Sequence, residues 1–371
     1  MLKFIRFNKE LVIVATLFAI WRYTLFLFAF FAKMLLPQFG ARFPYVGVLE
    51  ESGLPYWIWS FGNFDGVHYL RIAQDGYAYQ FTQAFFPLYP ILIKLVSYIT
   101  LGNFLVAALL ISNITFFVGL LLFYKLIKKN YDEKIAFWSC IFLLTFPTSF
   151  YFGSVYTEGV FFLMIIAAFY FIEEKKILLA SIIGSFASAT RLVGIFLAPS
   201  LIKKLDNKSL IPLLIIPLGL FVYMIYLIIE FNNPFYFLTA QSIWGQERST
   251  TGIILLPQVF WRYIKILSTT SGLPLLNASF ELVSTVFAIV VLILATKKVK
   301  REWLIFSWLA VLTPTLTGTL ASMPRYILIA FPIFIVLTNI KSTLIKIGII
   351  VLFLILQVIL VSLFTRGYWV A

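Results

Sequence analysis

Long apolar runs separated by short basic segments dominate this chain of 371 residues. Many of the runs are about 20 residues long, the length that an α-helix needs to cross the hydrocarbon core of a bilayer. Hydrophobic residues make up 62% of the chain and charged residues 12%, far from the balance of a soluble domain. The runs do not alternate apolar and polar residues, which argues against a transmembrane β-barrel. The sequence therefore predicts an all-α, multi-pass integral membrane protein.

The basic segments predict how the helices are oriented. More than half of the 29 Lys and Arg residues lie in short clusters between apolar runs. The clusters are KFIRFNK at 3–9, KLIKKNYDEK at 125–134, EEKK at 173–176, KKLDNK at 203–208, KKVKRE at 297–302 and KSTLIK at 341–346. Such clusters mark the cytoplasmic side of a membrane protein, so the net charge of +14 does not indicate nucleic-acid binding.

Placing these clusters inside gives about eleven transmembrane helices, with the N-terminus inside and the C-terminus outside. The run 86–100 is short and has prolines at 87 and 90, so we expect a juxtamembrane or re-entrant helix there. The run 177–202 lies between two inside clusters, so we expect two short helices that meet near Thr190 and Arg191; a single crossing is the alternative. The predicted crossings are 11–36, 104–124, 135–151, 158–172, the two halves of 177–202, 209–229, 279–296, 303–321, 326–340 and 347–364.

This topology predicts one membrane domain, 1–371, with two large external segments. The first external loop, 37–102, is expected to carry juxtamembrane or re-entrant helices and the catalytic residues. The second spans 231–277 and contains the aromatic and basic stretch FWRYIKI. The first apolar run is too long for a signal-peptide core and lacks a small-residue cleavage site, so we expect it to be retained as a helix.

The stretch NFDGVHYLRIAQDGY, residues 63–77, places four ionisable side chains within eleven positions of the first external loop. Ionisable groups near a bilayer are costly, so a cluster of them indicates a functional site. Asp65, tuned by partial desolvation and a nearby arginine, is suited to act as general base on a sugar hydroxyl. His68 and Arg71 are expected to support it, with a packing role as the alternative for His68. Asp75 is a supporting candidate or a turn and helix-end residue.

Three further charged residues are predicted on the same side of the membrane. Arg191 in SATRLVG and Arg325 in SMPRYILIAFP each lie at the edge of an apolar run. Arginine is suited to bidentate phosphate recognition, so we expect the two to bind a lipid phosphate; snorkelling at the headgroup level is the alternative. Glu158 in GSVYTEGVFF stands at a helix start, as a supporting site residue or a cap. Glu247 and Arg248 also fall on this side.

No metal site is expected. The single cysteine, Cys140, excludes an internal disulfide and a cysteine-based metal site, and we expect it to pack between helices. One histidine and two aspartates in the first loop are potential ligands for a divalent cation, but no HxxH or DxD spacing supports one. We therefore predict that the protein uses no metal and no cofactor.

These motifs resemble the PIG-V-type mannosyltransferases, the family of the enzyme that adds the second mannose to glycosylphosphatidylinositol (GPI). The resemblance rests on NFDGVHYLRIAQDGY followed by AFFPLYPIL, and on SVYTEGVFF, SATRLVGIF, MPRYILIAFP and the terminal RGYWVA. The motifs follow in the same order from about 57 to 371. The resemblance implies a fold of the GT-C superfamily, whose multi-helix enzymes take sugars from a polyprenyl-phosphate carrier on the external or lumenal face. It also implies that Asp65 is the catalytic base.

The function predicted from the resemblance is inverting transfer of a sugar, mannose above all, from polyprenyl phosphate to a lipid-linked or glycan acceptor. The supporting or sugar-binding residues are expected to be His68, Arg71, Asp75 and Glu158, and the donor-phosphate residues Arg191 and Arg325. The chain is shorter than the eukaryotic members, which favours a prokaryotic plasma membrane over the endoplasmic reticulum and an acceptor other than GPI. Two alternatives are a flippase for lipid-linked sugars and a non-catalytic assembly subunit of the same fold.

Overall fold

The computed structural model describes residues 9–40, 45–202, 207–244, 248–250 and 252–370. Within these ranges α-helices are joined by turns and short 3-10 segments, and no β-strand occurs. The all-α prediction is therefore confirmed for the described residues. The cluster residues 3–8 and 203–206 and the predicted external Glu247 lie outside them.

The α-helices of the described residues are numbered here in chain order. They are α1 Lys9–Leu35, α2 Val46–Glu50, α3 Tyr56–Trp59, α4 Asp65–Asp75, α5 Leu88–Ser97, α6 Phe104–Asn130, α7 Glu133–Thr145, α8 Glu158–Glu173, α9 Ile177–Ser188, α10 Leu197–Leu201, α11 Leu218–Phe231, α12 Tyr236–Thr239, α13 Leu256–Thr269, α14 Gly272–Ala295, α15 Arg301–Thr315, α16 Met323–Tyr326, α17 Pro332–Leu337 and α18 Thr343–Thr365.

Five helical segments of the described chain are long and apolar enough to cross a membrane. They are Lys9–Leu35, Phe104–Asn130, Leu210–Phe231, Gly272–Ala295 and Thr343–Thr365. Each of the five overlaps one of the predicted crossings. The remaining predicted crossings fall on helices of at most 16 residues. Multi-pass membrane architecture is therefore supported, whereas the count of about eleven crossings is not confirmed and stays a prediction.

The predicted crossing 326–340 is wrong as a single helix. The segment consists of the end of α16, a 3-10 turn at Ile327–Ile329 and the short helix α17. Proline stands in the first turn of both α16 and α17, where its missing N–H costs no helical hydrogen bond. Residues 327–338 are buried inside the bundle, and irregular backbone is tolerated at membrane depth only where protein covers it.

Two segments that were expected to hold short helices do so. In the run 86–100, α5 begins directly after Pro87 and is 10 residues long. In the run 177–202, α9 ends at Ser188, and a 3-10 segment followed by α10 leads away again from Leu192. The break between them contains Thr190 and Arg191, where the sequence predicted that two short helices meet.

The basic clusters that the structure describes meet at one end of the bundle. Nζ of Lys128, at the end of α6, lies 3.0 Å from Glu10 and 3.3 Å from Glu133. Nζ of Lys300 lies 2.6 Å from Glu173, the last residue of α8. Exposed pairs of this kind add little stability. They do show that the start of α1 and the ends of α6, α8 and α14 lie at the same basic end.

Helix α8 begins at Glu158 inside the bundle and ends at Glu173 at this basic end. Its 16 residues span about 24 Å, whereas the hydrocarbon core of a bilayer is about 30 Å thick. The neighbouring α6 has 27 residues and spans about 40 Å. Ser112, eight positions into α6, donates a hydrogen bond to the carbonyl of Tyr156. Glu158, the first residue of α8, therefore lies well below the far end of α6.

The second predicted external segment, 231–277, contains α12, α13 and the start of α14. α14 begins at Gly272, seven positions before the predicted crossing at 279, and the boundary at 277 stays a prediction. Before it lies α13, which buries Val259 and Tyr263 and exposes Trp261. The Tyr263 hydroxyl donates to Oε2 of Glu281 in α14 at 2.5 Å and thereby ties α13 to the bundle.

The C-terminal residues fold back onto the end of α1. Nε of Arg366 donates to the carbonyl of Leu36 at 2.8 Å, and Nη2 donates to the carbonyl of Pro37 at 2.6 Å. Gly367 has a φ of +74°, and a Cβ at this position would meet the ring of Phe39. This close turn directs Trp369 towards the centre of the molecule, beside α4.

Gly159 allows α8 to approach α6 closely, and replacing it tests this packing. In Gly159→Ala, the new Cβ would lie 2.7 Å from the carbonyl oxygen of Ser112 and 2.8 Å from that of Phe152. Both are backbone atoms, so we expect a loss of about 1–3 kcal/mol in stability and a lower melting temperature in detergent. Gly348→Ala is the matched control, because nothing lies within 4 Å of its Cβ. Equal melting temperatures for the two variants would contradict this packing.

Candidate active site

A cavity of about 310 Å³ lies beside the first turn of α4. Its walls come from parts of the chain that are far apart in sequence: α4, residues 84–86, the turn 190–193, residues between 238 and 244, Arg248, residues between 310 and 329, and Trp369. The volume is in the range of small-molecule sites in proteins. Four charged side chains line it, namely Asp65, Arg191, Arg248 and Arg325. A charged cavity inside an apolar bundle indicates a functional site.

Asn63 fixes the start of α4 and with it Asp65. The Asn63 side chain is fully buried, and its Nδ2 donates to the carbonyl of Phe364 at the end of α18 at 2.8 Å. The Asn63 carbonyl in turn accepts a hydrogen bond from the hydroxyl of Tyr156 at 3.1 Å. Asp65 is the first residue of α4, where the helix dipole favours a negative charge.

The two residues that flank Asp65 have structural roles that explain why phenylalanine and glycine stand there. Phe64 has a φ of +59°, an uncommon conformation for a residue with a side chain, and such residues cluster at functional sites. Its ring packs against Phe364 and edge-on against Trp369, which holds this conformation in place. A Cβ on Gly66 would lie 3.3 Å from both the Cβ and the carbonyl oxygen of Val155, so glycine allows the first turn of α4 to approach that segment.

Asp65 belongs to a chain of four charged side chains. Its Oδ2 accepts a hydrogen bond from Nη1 of Arg325 at 2.7 Å. Oε1 of Glu158 lies 3.4 Å from Nε of Arg325 and accepts a hydrogen bond from Nη1 of Arg191 at 3.0 Å. The Glu158 and Arg325 side chains are 1% and 8% exposed, so each depends on its partners. Removing one partner of a buried ion pair costs about 3–5 kcal/mol.

The site residues predicted from the sequence fall into two groups. Asp65, Glu158, Arg191 and Arg325 meet in this charge network, whereas His68, Arg71 and Asp75 lie outside it. Both arginines that were expected to bind phosphate already contact a carboxylate, and Arg325 contacts two. Their role towards phosphate stays a prediction.

His68 lies behind the cavity wall and does not line the cavity. Its ring stacks on Phe85 with a centroid distance of 5.2 Å and meets Trp244 edge-on at 4.5 Å; both of these aromatic residues line the cavity. Burial lowers the pKa of the imidazole below its usual value, and the negative charge of Asp65 opposes this by raising it. The lowered pKa favours the neutral form at pH 7.

Arg71 and Asp75 are not among the residues that line the cavity. Nη1 of Arg71 donates only a long hydrogen bond, 3.5 Å, to Oε1 of Gln74. Asp75 is exposed, ends α4 and accepts a hydrogen bond from the hydroxyl of Tyr79 at 3.1 Å. The position of Asp75 matches the helix-end alternative.

Tyr69 is a cavity residue that the sequence prediction missed. It stands four positions after Asp65, and residues with this spacing share a face of a helix. It lines the cavity and packs against Phe85 and Tyr89. Burial and the charge of Asp65 raise the pKa of its hydroxyl, so the group stays protonated and can donate a hydrogen bond. The spacing of four positions from Asp65 was enough to predict that Tyr69 lies on the same side of α4.

Four more cavity residues come from the second half of the chain: Trp244, Arg248, Tyr326 and Trp369. Nη2 of Arg248 donates to the hydroxyl of Tyr326 at 3.1 Å. Nε1 of Trp244 and Nε of Arg248 are buried and have no hydrogen-bond partner in the described part of the chain. No local pattern in the sequence connects these residues with Asp65, because the tertiary fold alone brings them together.

Asp65 is the only carboxylate among the described residues that line the cavity. Glu158 does not line the cavity, but it contacts Arg191 and Arg325, which do. No group of three or more His, Cys, Asp or Glu that could hold a metal ion occurs in the described part of the chain. Whether the protein needs a metal is not tested by this arrangement.

Comparison with known proteins confirms the resemblance over part of the chain. Residues 54–205 match the family model described as Mannosyltransferase (PIG-V). The matched segment contains Asp65, Glu158 and Arg191, whereas Arg325 and the terminal RGYWVA lie beyond it.

Two curated relatives carry the name GPI mannosyltransferase 2. The protein of Drosophila pseudoobscura pseudoobscura is 30% identical over 138 residues, which cover 34% of this chain and 29% of the relative. The protein of Cryptococcus neoformans var. neoformans serotype D is 26% identical over 145 residues, which cover 36% of this chain and 34% of the relative. The chain thus spans about a third of the length of the relatives it matches.

His68 is the only histidine of the chain, so its titration can be observed directly. In protein labelled with ¹³C-histidine, we expect a single ring resonance that titrates below the usual pKa of about 6.5, because burial disfavours the imidazolium. In Asp65→Asn the pKa should fall further, because the carboxylate that raises it is lost. The exposed Asp75→Asn is the control and should leave the curve nearer to wild type. An Asp65→Asn curve identical to wild type would contradict the proximity of the two side chains.

Proposed function

We propose that this protein is a glycosyltransferase that moves mannose from a polyprenyl-phosphate carrier to a hydroxyl of a lipid-linked or glycan acceptor. The observation that carries the proposal is the single cavity carboxylate, Asp65, held at 2.7 Å from Arg325 and facing a cavity that three arginines line. One carboxylate and several cations suit a reaction in which a hydroxyl loses a proton and a phosphate departs. The match of residues 54–205 to the mannosyltransferase family supports the same reaction class.

The reaction we propose is a single displacement. The acceptor oxygen attacks the anomeric carbon of the donor while the bond from this carbon to the phosphate oxygen breaks. The acceptor proton passes to the Asp65 carboxylate, and the electron pair of the broken bond leaves with the phosphate. Because the nucleophile enters opposite the leaving group, the configuration at the anomeric carbon inverts. A double displacement would need a carboxylate nucleophile besides the base, and the described cavity lining offers one carboxylate.

The charge network suits this chemistry. Arg325 orients Asp65 and keeps its charge compensated while no substrate is bound. Glu158 holds Arg325 and Arg191 in place from behind, so their positive charge faces the cavity without rearrangement. Cations placed in advance stabilise the negative charge that develops on a departing phosphate. In this proposal the donor phosphate lies against the arginines and the acceptor hydroxyl lies against Asp65.

The level of the site in the bundle fits a lipid substrate. Glu158 lies about 24 Å along α8 from the basic end, a distance that supports a position of the cavity near the far boundary of a hydrocarbon core of about 30 Å. A polyprenyl phosphate keeps its phosphate at such a boundary and its tail in the hydrocarbon. We propose that the basic end is cytoplasmic and that the cavity faces the outside of a plasma membrane.

The acceptor and the metal requirement are also proposals. The relatives are named GPI mannosyltransferase 2, and their matches cover only 34% and 36% of this chain. We propose a lipid-linked or glycan acceptor for this chain and a reaction without a divalent metal. Full activity in EDTA is the expected result, since arginine side chains supply the positive charge that a metal would otherwise provide.

Asp65→Asn tests the proposed base. Asparagine keeps the size and can still accept the hydrogen bond from Arg325, but it cannot take up the acceptor proton. We expect transfer of radiolabelled mannose from polyprenyl-phosphate mannose to a membrane lipid extract to fall by a factor of about 100 or more. Asp75→Asn removes a carboxylate from the same helix, outside the cavity lining, and should keep near-normal activity.

The purified protein in detergent is the right material for this assay. Transfer in detergent distinguishes an enzyme from a flippase, which needs a sealed bilayer. Size-exclusion profiles check that both variants fold. Near-normal turnover by Asp65→Asn would overturn the assignment of the base, and no transfer by the wild-type protein would overturn the proposed function.

Cysteine labelling tests the proposed orientation. The native Cys140 is fully buried, so it gives little background. Glu50→Cys lies in an exposed position of the first loop, next to Ser52, whose carbonyl accepts a hydrogen bond from Asn103 at the start of α6. Lys134→Cys lies at the basic end. A membrane-impermeant maleimide added to intact cells should label the first variant, and the second only after permeabilisation; the reverse pattern would contradict the orientation.

A further inference from the structure

Arg248 differs from the other two arginines of the cavity in its partners. Its Nη1 donates to Oε1 of Gln241 at 3.1 Å, and its Nη2 donates to the hydroxyl of Tyr326 at 3.1 Å and to the carbonyl of Ala321 at 3.4 Å. None of these three acceptors is a carboxylate. Among the described residues, no carboxylate forms an ion pair with Arg248, whereas Arg191 and Arg325 each have one or two.

The charge of Glu281 interacts with that of Arg248, but the two side chains form no ion pair. Its Oε2 accepts the 2.5 Å hydrogen bond from the hydroxyl of Tyr263, which directs it towards α13. Glu281 is not among the residues that line the cavity. Among the described residues, the guanidinium of Arg248 therefore lines the cavity without a carboxylate in direct contact.

The ion pairs around the cavity leave Arg248 aside. Asp65 and Glu158 are joined to Arg191 and Arg325. No carboxylate of the described residues lies within ion-pair distance of Arg248, and the charge of Glu281 interacts with it without direct contact. A phosphodiester would place a negative charge in direct contact with this guanidinium.

Two unused hydrogen-bond donors point to the same place. Nε of Arg248 and Nε1 of Trp244 are buried and have no partner among the described residues. Both residues line the cavity. Nε of Arg325 also makes no hydrogen bond within the described chain, but it lies 3.4 Å from Oε1 of Glu158. Buried donors in folded proteins are nearly always paired, so two orphaned donors at one wall of a cavity indicate a missing acceptor. Phosphate oxygens accept hydrogen bonds from a guanidinium and an indole N–H.

Tyr326 separates Arg248 from the charge network. The guanidinium carbons of Arg191, Arg248 and Arg325 lie 5.0, 5.8 and 5.4 Å from the centre of its ring. The ring face attracts these cations and keeps the three arginines apart. The arrangement leaves Arg248 on the side of Trp244 and Gln241, while Arg325 stays with Asp65.

We propose that Arg248, with the indole N–H of Trp244, binds the phosphate of the lipid-linked sugar directly, and that Arg191 and Arg325 position Asp65 and Glu158 and act on the phosphate through their charge without contacting it. This inference rests on the proposed function and assigns the phosphate subsite within it. The segment 231–277 then supplies donor recognition, and the first loop supplies the base. The two substrates enter from different walls of one cavity.

Arg248→Gln tests the phosphate subsite. Glutamine keeps hydrogen-bonding capacity and removes the charge. We expect the KM for polyprenyl-phosphate mannose to rise about tenfold or more, the KM for the acceptor to stay unchanged, and inhibition by the product polyprenyl phosphate to weaken by a similar factor. Arg248→Lys keeps the charge but loses the planar fork, so an intermediate KM is expected.

Lys265→Gln is the matched control. It removes one positive charge from the same segment at an exposed position that does not line the cavity, and it should leave all three constants near wild type. An unchanged donor KM in Arg248→Gln, with transfer intact, overturns this inference and leaves the proposed function standing. If that variant does not fold, Arg248→Lys decides in the same way. If Asp65→Asn loses transfer but still binds polyprenyl phosphate normally, the role of Asp65 as base is distinct from phosphate binding at Arg248.

Discussion

The contact between Asp65 and Arg325 is the interaction on which the site depends. It joins residues 260 positions apart, and Glu158 and Arg191 extend it to two further segments. Glu158 and Arg325, the two most buried members, each need their partners, because an isolated charge at this depth costs several kcal/mol. The network therefore serves both stability and chemistry: the same pairing that makes the charges tolerable also aims Asp65 and the arginines at one cavity.

The cavity lies where several helices end part-way along the longer α6. α8 covers about 24 Å, and α9 ends at Ser188, just before Thr190 and Arg191. Beyond these ends, the space beside α6 is filled by irregular segments that carry polar side chains. Irregular backbone is stable inside a membrane protein when protein covers it or when it lines a cavity. Residues 327–338 are buried, and the turn 190–193 lines the cavity.

The likeness to the PIG-V mannosyltransferases is concentrated in one part of this arrangement. The matched segment, 54–205, supplies Asp65, Glu158 and Arg191, while Arg325, Arg248 and Trp369 come from the remaining chain. The proposed base and its charge network thus lie largely within the shared segment. The wall formed by Trp244 and Arg248 lies outside it, which is where a difference in substrate would be expected to arise.

The sequence by itself determined the membrane class, the common end of the basic clusters, the break near Arg191 and the identity of Asp65, Glu158, Arg191 and Arg325 as site candidates. These features follow from local hydropathy, charge and motif spacing. The sequence did not determine that 326–340 breaks into short helices, or that Tyr69 rather than His68 shares the cavity with Asp65. It also left the partners of each arginine open. Those were decided by the tertiary structure, because burial, ion pairing and orphaned donors depend on which distant segments meet.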